Sequence, residues 1–211
     1  KMYRFFFKRV LDIIVSLIAL PFVLVISLIL SVVIFFNDGG TPFYFAERLG
    51  KNGKVFKMYK LRTMKKNMPD LRNPDGSTYN SEDDYRLTSC GKWIRRFSLD
   101  ELPQVLNVLK GEMSLVGPRP DLPSQEKFYV GNERDKLLVR PGITGYSQAY
   151  FRNSISWKER IGFDIFYIQN VSFIMDMKII LKTVTALFQS KNIYNTAVPS
   201  PCPTVETVVK G

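Results

Sequence analysis

The sequence predicts a mainly helical α+β protein: an N-terminal re-entrant membrane helix hairpin bent at Pro21, joined to a small cytoplasmic domain with short strands and interfacial helices. Three observations predict it. Ile13 to Asn37 is a run of 25 residues without a charge, cations flank that run on both sides, and the remainder alternates short extended segments with apolar residues at helical spacing. Residues 1–37 are expected to form the membrane hairpin, 38–190 the folded domain and 191–211 a mobile tail rich in proline.

As one helix the uncharged run measures about 37 Å at ~1.5 Å per residue, long enough to span a bilayer. No small-x-small cleavage site closes it; it ends Ile34-Phe35-Phe36-Asn37-Asp38-Gly39-Gly40, unlike a signal peptide. Lys1, Arg4, Lys8 and Arg9 stand upstream, and Arg48, Lys51, Lys54 and Lys57 downstream, so the positive-inside rule assigns both ends to the cytoplasm. One straight span does not satisfy that. Pro21 removes a backbone donor, frees the carbonyl of Leu17 and crowds the preceding turn, which permits a sharp bend. A proline-kinked spanning helix stays open as the alternative, because neighbouring groups can satisfy the freed carbonyl.

After the turn cluster Asp38 to Pro42, Phe43-Tyr44-Phe45 and Val55 to Leu61 read as short strands around the Gly50 to Gly53 turn. Residues 65–86 are polar and carry Pro69 and Pro74-Asp75-Gly76, an exposed loop long enough to act as a lid. Lys92 to Phe97 reads as a short basic helix. Leu102 to Leu109 follows with apolar residues at 102, 105, 106 and 109, the spacing of a buried helix face, and Gly111 ends it. Two proline- and glycine-containing loops come next, Gly117-Pro118-Arg119-Pro120 and Arg140 to Gly145, whose glycines are expected to let backbone approach a ligand closely. Residues 158–169 and 173–188 again show helical spacing, the second suited to core packing or to a membrane surface.

Thirty Lys and Arg against 19 Asp and Glu give a net charge of +11, which points to an anionic partner: nucleic acid, anionic lipid or a phosphorylated substrate. The chain has no histidine, so imidazole bases, Ser/His or Cys/His pairs and His-ligated metals are excluded. Cys90 and Cys202 match no metal or redox spacing and read as structural thiols.

Acid–base work therefore falls to carboxylates, Lys or Tyr, and among the carboxylates Asp100-Glu101 stands out. Ser98-Leu99-Asp100-Glu101 fits a capping box, and position alone favours that reading. The functional reading is that a carboxylate at a helix N-terminus has a lowered pKa and stays ionised, while the same amides attract a phosphate. Adjacent carboxylates also make a hard oxygen site suited to Mg²⁺ when substrate phosphates complete the shell. Lys60, Arg62, Arg95, Arg96, Arg119, Arg140 and Arg152 supply charge to hold a diphosphate.

Taken together, Lys8-Arg9-Val10-Leu11-Asp12, Tyr59 to Met64, Ser98 to Gln104, Asn107 to Ser114, Gly117 to Pro120 and Arg140 to Gly145 resemble, in that order, the bacterial sugar transferases. More narrowly, the chain resembles the monotopic polyprenyl-phosphate phosphoglycosyl transferases of the PglC type, over roughly residues 3 to 188. The resemblance implies an Mg²⁺-dependent transfer of a sugar phosphate from a UDP-sugar to polyprenyl (undecaprenyl) phosphate, releasing UMP, through a covalent intermediate on Asp100. It implies Glu101 beside Asp100 at the Mg²⁺ ion, Lys60, Arg62, Thr63 and Arg119 as anion-binding groups, and Arg140, Thr144, Gln148, Arg152 and Asp164 as pocket positions. The partners it implies are the UDP-sugar donor, the polyprenyl phosphate acceptor and membrane lipids, with no nucleic acid; a homodimer stays open. The location it implies is the bacterial inner membrane, with the catalytic domain on the cytoplasmic face.

The chain departs from that pattern where Leu20-Pro21 replaces a frequent Ser-Pro at the bend, so one side-chain hydrogen bond to the bend is missing, and where Ala46 replaces a frequent Gln. The rival reading is a non-catalytic, membrane-tethered basic module that binds nucleic acid or anionic lipid, supported by the net charge and 13% aromatic content.

Overall fold

The computed structural model describes residues 2–73, 78, 79, 81 and 83–189. The expected tail, Cys202 and part of the expected lid, residues 74–77, 80 and 82, lie outside the described residues.

The apolar run forms helix α1, Lys8–Asp38, entered through a π-helical turn Tyr3–Phe7. Pro21 does not interrupt it: the proline removes one donor, and α1 stays helical on both sides. Gly39 ends the helix at φ 66, its N–H donating to Phe35 O at 2.7 Å, a left-handed cap that glycine adopts without steric cost. The buried positions Asp12, Ser16, Val23, Ser27, Leu30 and Ile34 recur at intervals of three, four or seven and so form one stripe. Ile18, Phe22, Val25 and Leu28 leave the opposite side apolar and exposed, on a helical stretch Tyr3–Asp38 long enough to cross a membrane.

Both ends of α1 dock on the same domain. Near the start, Arg9 donates to Val108 O at 2.7 Å and Asp12 Oδ1 accepts from Leu115 N at 3.0 Å. Near the end, Leu30 and Ile34 pack with Leu61 and Ile94, and Asp38 pairs with both terminal nitrogens of Arg62 at 2.6 and 2.8 Å. Burial of each of those apolar side chains contributes roughly 1.5–3 kcal/mol, so the docking is a packed contact rather than a tether.

The expected strands form an antiparallel hairpin, β1 Phe43–Leu49 and β2 Val55–Leu61, with Phe43 opposite Leu61. The expected basic helix is α2, Ser89–Arg96; Thr88 caps it, its Oγ1 accepting from Gly91 N at 2.9 Å, so it starts three residues before the expected Lys92. Helix α3, Gln104–Lys110, ends at Gly111, φ 84, as its sequence indicates, but its buried face differs from the expected one. Val105 is buried as expected, whereas Leu102, Leu106 and Leu109 are half-exposed and Gln104, Asn107 and Val108 are buried instead. The reason is Asn107: its amide accepts from Tyr59 N and donates to Lys57 O and Glu112, fixing a polar face of α3 on β2.

Two three-residue strands that sequence periodicity does not reveal, β3 Ser114–Val116 and β4 Gly142–Thr144, pair in parallel. Helices α4 Tyr146–Phe151, α5 Trp157–Gln169 and α6 Phe173–Gln189 complete the fold, the last two close to expectation. Tyr146, Phe163, Tyr167 and Ile179 form their core. Both readings of α6 find support on different faces, since Ile179 is in the core while Ile174 and Leu181 are exposed. The described parts of segment 65–86 are lashed by buried Arg86, which donates to Asp84, Pro69 O and Tyr79 O.

Candidate active site

The chain enters the site through a strained turn. Ser98 takes φ 55, unusual for a residue other than glycine, and leads into the 3-10 turn Leu99–Glu101. The expected capping box is absent because a left-handed Ser98 does not have the extended backbone an N-cap requires, and its side chain makes no cap bond. Glu101, whose carboxylate that box would have used, turns instead with Asp100 toward Lys60 on β2. Lys60 Nζ lies 2.7 Å from Glu101 Oε1 and 3.5 Å from Asp100 Oδ2, with Asp100 only 8% exposed.

Two further cations face the pair. Thr63 O lies so close to α2 that a Cβ on Gly91 would meet it at 2.0 Å, and one turn onward Arg95 Nε donates to Thr63 Oγ1 at 2.8 Å. Thr63 thus seats Arg95, whose charge acts on both carboxylates; the charge of Arg119 acts on Glu101. The loop bearing Arg119 is fixed from behind by Gly142 N donating to Pro118 O, Gly117 N to Thr144 O and Leu49 N to Asp121 O, each at 2.8 or 2.9 Å. A Cβ on Gly142 would meet Gly117 N at 2.1 Å, so this glycine serves the approach of backbone to backbone rather than to a ligand as expected.

The two carboxyls are driven apart. Burial pushes Asp100 up, with adjacent Glu101 adding to it against the opposing charge of Lys60. Burial acts on Glu101 in the same sense, but Lys60 and Arg119 outweigh it and hold Glu101 below the usual range. The split follows the geometry, since Lys60 is closer to Glu101. The expectation that Asp100 has a lowered pKa is therefore corrected: burial and a neighbouring carboxylate outweigh the benefit of the helix N-terminus.

The structure brings Lys60, Thr63, Asp100, Glu101 and Arg119 of the expected set to one place, and adds Arg95, which the sequence marks only as one of several cations. The others, Arg152 apart, make their described contacts elsewhere. Arg62 clamps Asp38 and donates to Thr41 O; Arg140 Nε donates to Gly111 O; Thr144 bonds Thr183 and Gln148 bonds Ile143 O. Arg152, at φ 52, follows α4. Asp164 is fully buried, accepting from Ser147 at 2.9 Å and pairing with buried Lys136 at 3.2 Å; Lys136 also pairs with Asp121 at 2.6 Å. Nothing in Gly131-Asn132-Glu133-Arg134-Asp135-Lys136 distinguishes that lysine from a solvated charge run, so the sequence gives no signal for it.

Among the described residues no cluster of three or more potential metal ligands occurs. A pair suffices for Mg²⁺ where substrate phosphates complete the shell. Among the described residues Asp100 is bonded through Oδ2 to Lys60, at the long distance of 3.5 Å, and the chemistry of two adjacent carboxylates fits such an ion. Buried Asp100 and half-buried Glu101, paired with Lys60 and acted on by the charges of Arg95 and Arg119, form a site chemically suited to an anionic, phosphorylated substrate, and the long apolar helix of the same chain is compatible with membrane association.

Comparison with known proteins makes this specific. The family description "bacterial sugar transferase" matches residues 3–190, and the chain belongs to that family. It is 38% identical over 198 residues to the exopolysaccharide production protein ExoY of Sinorhizobium fredii, covering 89% of this chain and 88% of that one. It is 40% identical over 189 residues to the uncharacterized sugar transferase EpsL of Bacillus subtilis, covering 90% and 91%. It is also 34% identical over 203 residues to the undecaprenyl-phosphate galactose phosphotransferase of Salmonella typhimurium, covering 90% of this chain and 42% of that longer protein. The chain is thus an enzyme, a transferase, and the binding-only alternative falls.

Proposed function

We propose that the protein transfers a sugar phosphate from a UDP-sugar to undecaprenyl or a related polyprenyl phosphate, releasing UMP, at the cytoplasmic face of the bacterial inner membrane. The observation that carries this is the Asp100-Glu101 pair, the first buried and the second half-buried, held by Lys60 and acted on by the charges of Arg95 and Arg119. Two relatives are named for such reactions, the Salmonella galactose phosphotransferase and an N-acetylgalactosamine phosphotransferase of Aeromonas hydrophila.

In the first half-reaction an Asp100 carboxylate oxygen attacks the sugar-bearing β-phosphorus. The bond from that phosphorus to the bridging oxygen breaks, and UMP leaves with the oxygen. In the second, a phosphate oxygen of the polyprenyl phosphate attacks the same phosphorus and frees the Asp100 carboxylate. Splitting the transfer lets one site serve two anions in turn. Glu101 and Asp100 would hold Mg²⁺, which when bound spreads charge on the phosphoryl oxygens and favours ionised Asp100. Arg95 and Arg119 stabilise the same charge from the protein side.

The docking of both ends of α1 on one domain supports a helix that enters and leaves the same bilayer face, which keeps Asp100 near a lipid phosphate. Cysteine labelling at residues 1 and 40 in sealed vesicles checks this: labelling from one side is expected, and labelling from opposite sides contradicts it. The reaction is tested by incubating the protein with UDP-sugars, Mg²⁺ and polyprenyl phosphate and measuring UMP. Release is expected for the wild type and not for Asp100→Asn; full activity in Asp100→Asn contradicts the assignment.

A further inference from the structure

A second cationic concavity lies at the other end of α3 from Asp100. A cavity of about 50 Å³ is lined by Arg4, Lys8, Arg9, Lys51 and Arg140, with Asp12 as its carboxylate. Its cations are pre-positioned. Arg9 donates to Val108 O and Leu109 O at 2.7 and 3.2 Å, and Arg140 Nε donates to Gly111 O at 2.8 Å, so two guanidiniums converge on the C-terminus of one short helix. Lys8 is held at 2.6 Å by Asp176, which also accepts from Tyr3 and Tyr167. Asp12 is engaged by Leu115 N, and Asp12 with Asp176 leaves the five cations in excess by three charges.

The rest of the surroundings says which anion fits. Phe5 and Leu138 line the same cavity, and both are largely exposed, at 73% and 52%. An apolar lip over a basic floor, at the entry of α1, matches an amphiphile with a negative head. Size suits a small head: at ~10–15 Å³ for each water position, the cavity takes a phosphate group, with the rest of the ligand outside it.

We propose that this concavity binds the headgroup phosphate of an anionic bilayer phospholipid, seated beside the start of α1. Arg4, Arg9, Lys51 and Arg140 contact the phosphate oxygens, and the acyl chains follow the exposed apolar side of α1. The inference needs α1 to lie in lipid; it does not need the reaction proposed at Asp100.

The test uses the full chain, purified in neutral detergent and stripped of lipid. Phosphatidylglycerol or phosphatidylcholine of equal chain length is added, and bound lipid is counted by native mass spectrometry. One phosphatidylglycerol is expected to be retained, at least about tenfold in preference to phosphatidylcholine. Arg4→Gln with Lys51→Glu should weaken that retention by at least about tenfold, while Lys57→Gln with Lys127→Glu, an equal charge change on exposed residues elsewhere, should not. Equal retention of both lipids, or equal loss in both double variants, overturns the proposal. So does displacement of phosphatidylglycerol by inorganic phosphate or by polyprenyl phosphate through Arg4 and Lys51, which would give the cavity to a free anion or to the acceptor.

Discussion

Lys60 Nζ lies 2.7 Å from Glu101 Oε1, closer than to Asp100, and this pairing decides which of two adjacent carboxylates keeps its charge most firmly. Lys60 lowers both carboxyls, so removing it raises both. In Lys60→Gln the acid limb of kcat/KM should move to higher pH, and the rate at neutral pH should fall by about a hundredfold. A pH–rate profile checks this; an unmoved acid limb contradicts it.

Arg62 ties the end of α1 to β2 through Asp38, with side chains 11% and 20% exposed. Arg62→Met leaves Asp38 poorly solvated and unpaired, at a cost of about 2–3 kcal/mol. Asp38→Asn in the same background should recover part of it. Unfolding in detergent measures both, and a double-mutant cycle with no coupling contradicts the clamp.

Lys136 compensates two buried carboxylates, Asp121 and Asp164, and Asp121 follows the loop that carries Arg119. Lys136→Met should destabilise the fold by about 3–5 kcal/mol, and adding Asp121→Asn and Asp164→Asn should return much of that. Thermal unfolding gives the comparison. A triple variant no more stable than Lys136→Met contradicts the buried-charge explanation.

The donated hydrogen bonds of Arg86 hold the Asp84 carboxyl below the usual range. A lowered folded-state pKa gives stability that is present above the unfolded value of about 3.9 and lost as pH falls through the folded value. Acid should therefore expose segment 65–87 to proteolysis below about pH 4, with no such added acid sensitivity in Asp84→Asn. Equal pH dependence of both proteins contradicts the role given to this pair.

The legible parts of the fold were those with strong local patterns. The run Ile13 to Asn37 announces α1, the turn at Gly50 to Gly53 announces the hairpin, and Gly111 announces the end of α3. The paired three-residue strands β3 and β4 were not legible, because their pairing is long-range and too short to show periodicity. The misread face of α3 has the same origin: Asn107 is buried by partners about 50 positions away on β2, and only the tertiary structure reveals them. At the site, Asp100 and Glu101 stand out because histidine is absent and because Ser98 to Gln104 is one of the motifs that carry the family resemblance. The destination of Arg62 does not, since a guanidinium serves a carboxylate of the same chain as readily as a substrate phosphate.

A covalent bond from Asp100 to phosphorus is the step on which the proposed transfer depends most. Enzyme mixed with its UDP-sugar donor and Mg²⁺ but no acceptor, then acid-quenched and analysed by peptide mass spectrometry, reports it. One UMP released per protein and a phosphosugar mass added to the peptide containing Asp100 are expected. An adduct on another residue, or UMP formed only when polyprenyl phosphate is present and no adduct at all, would contradict it.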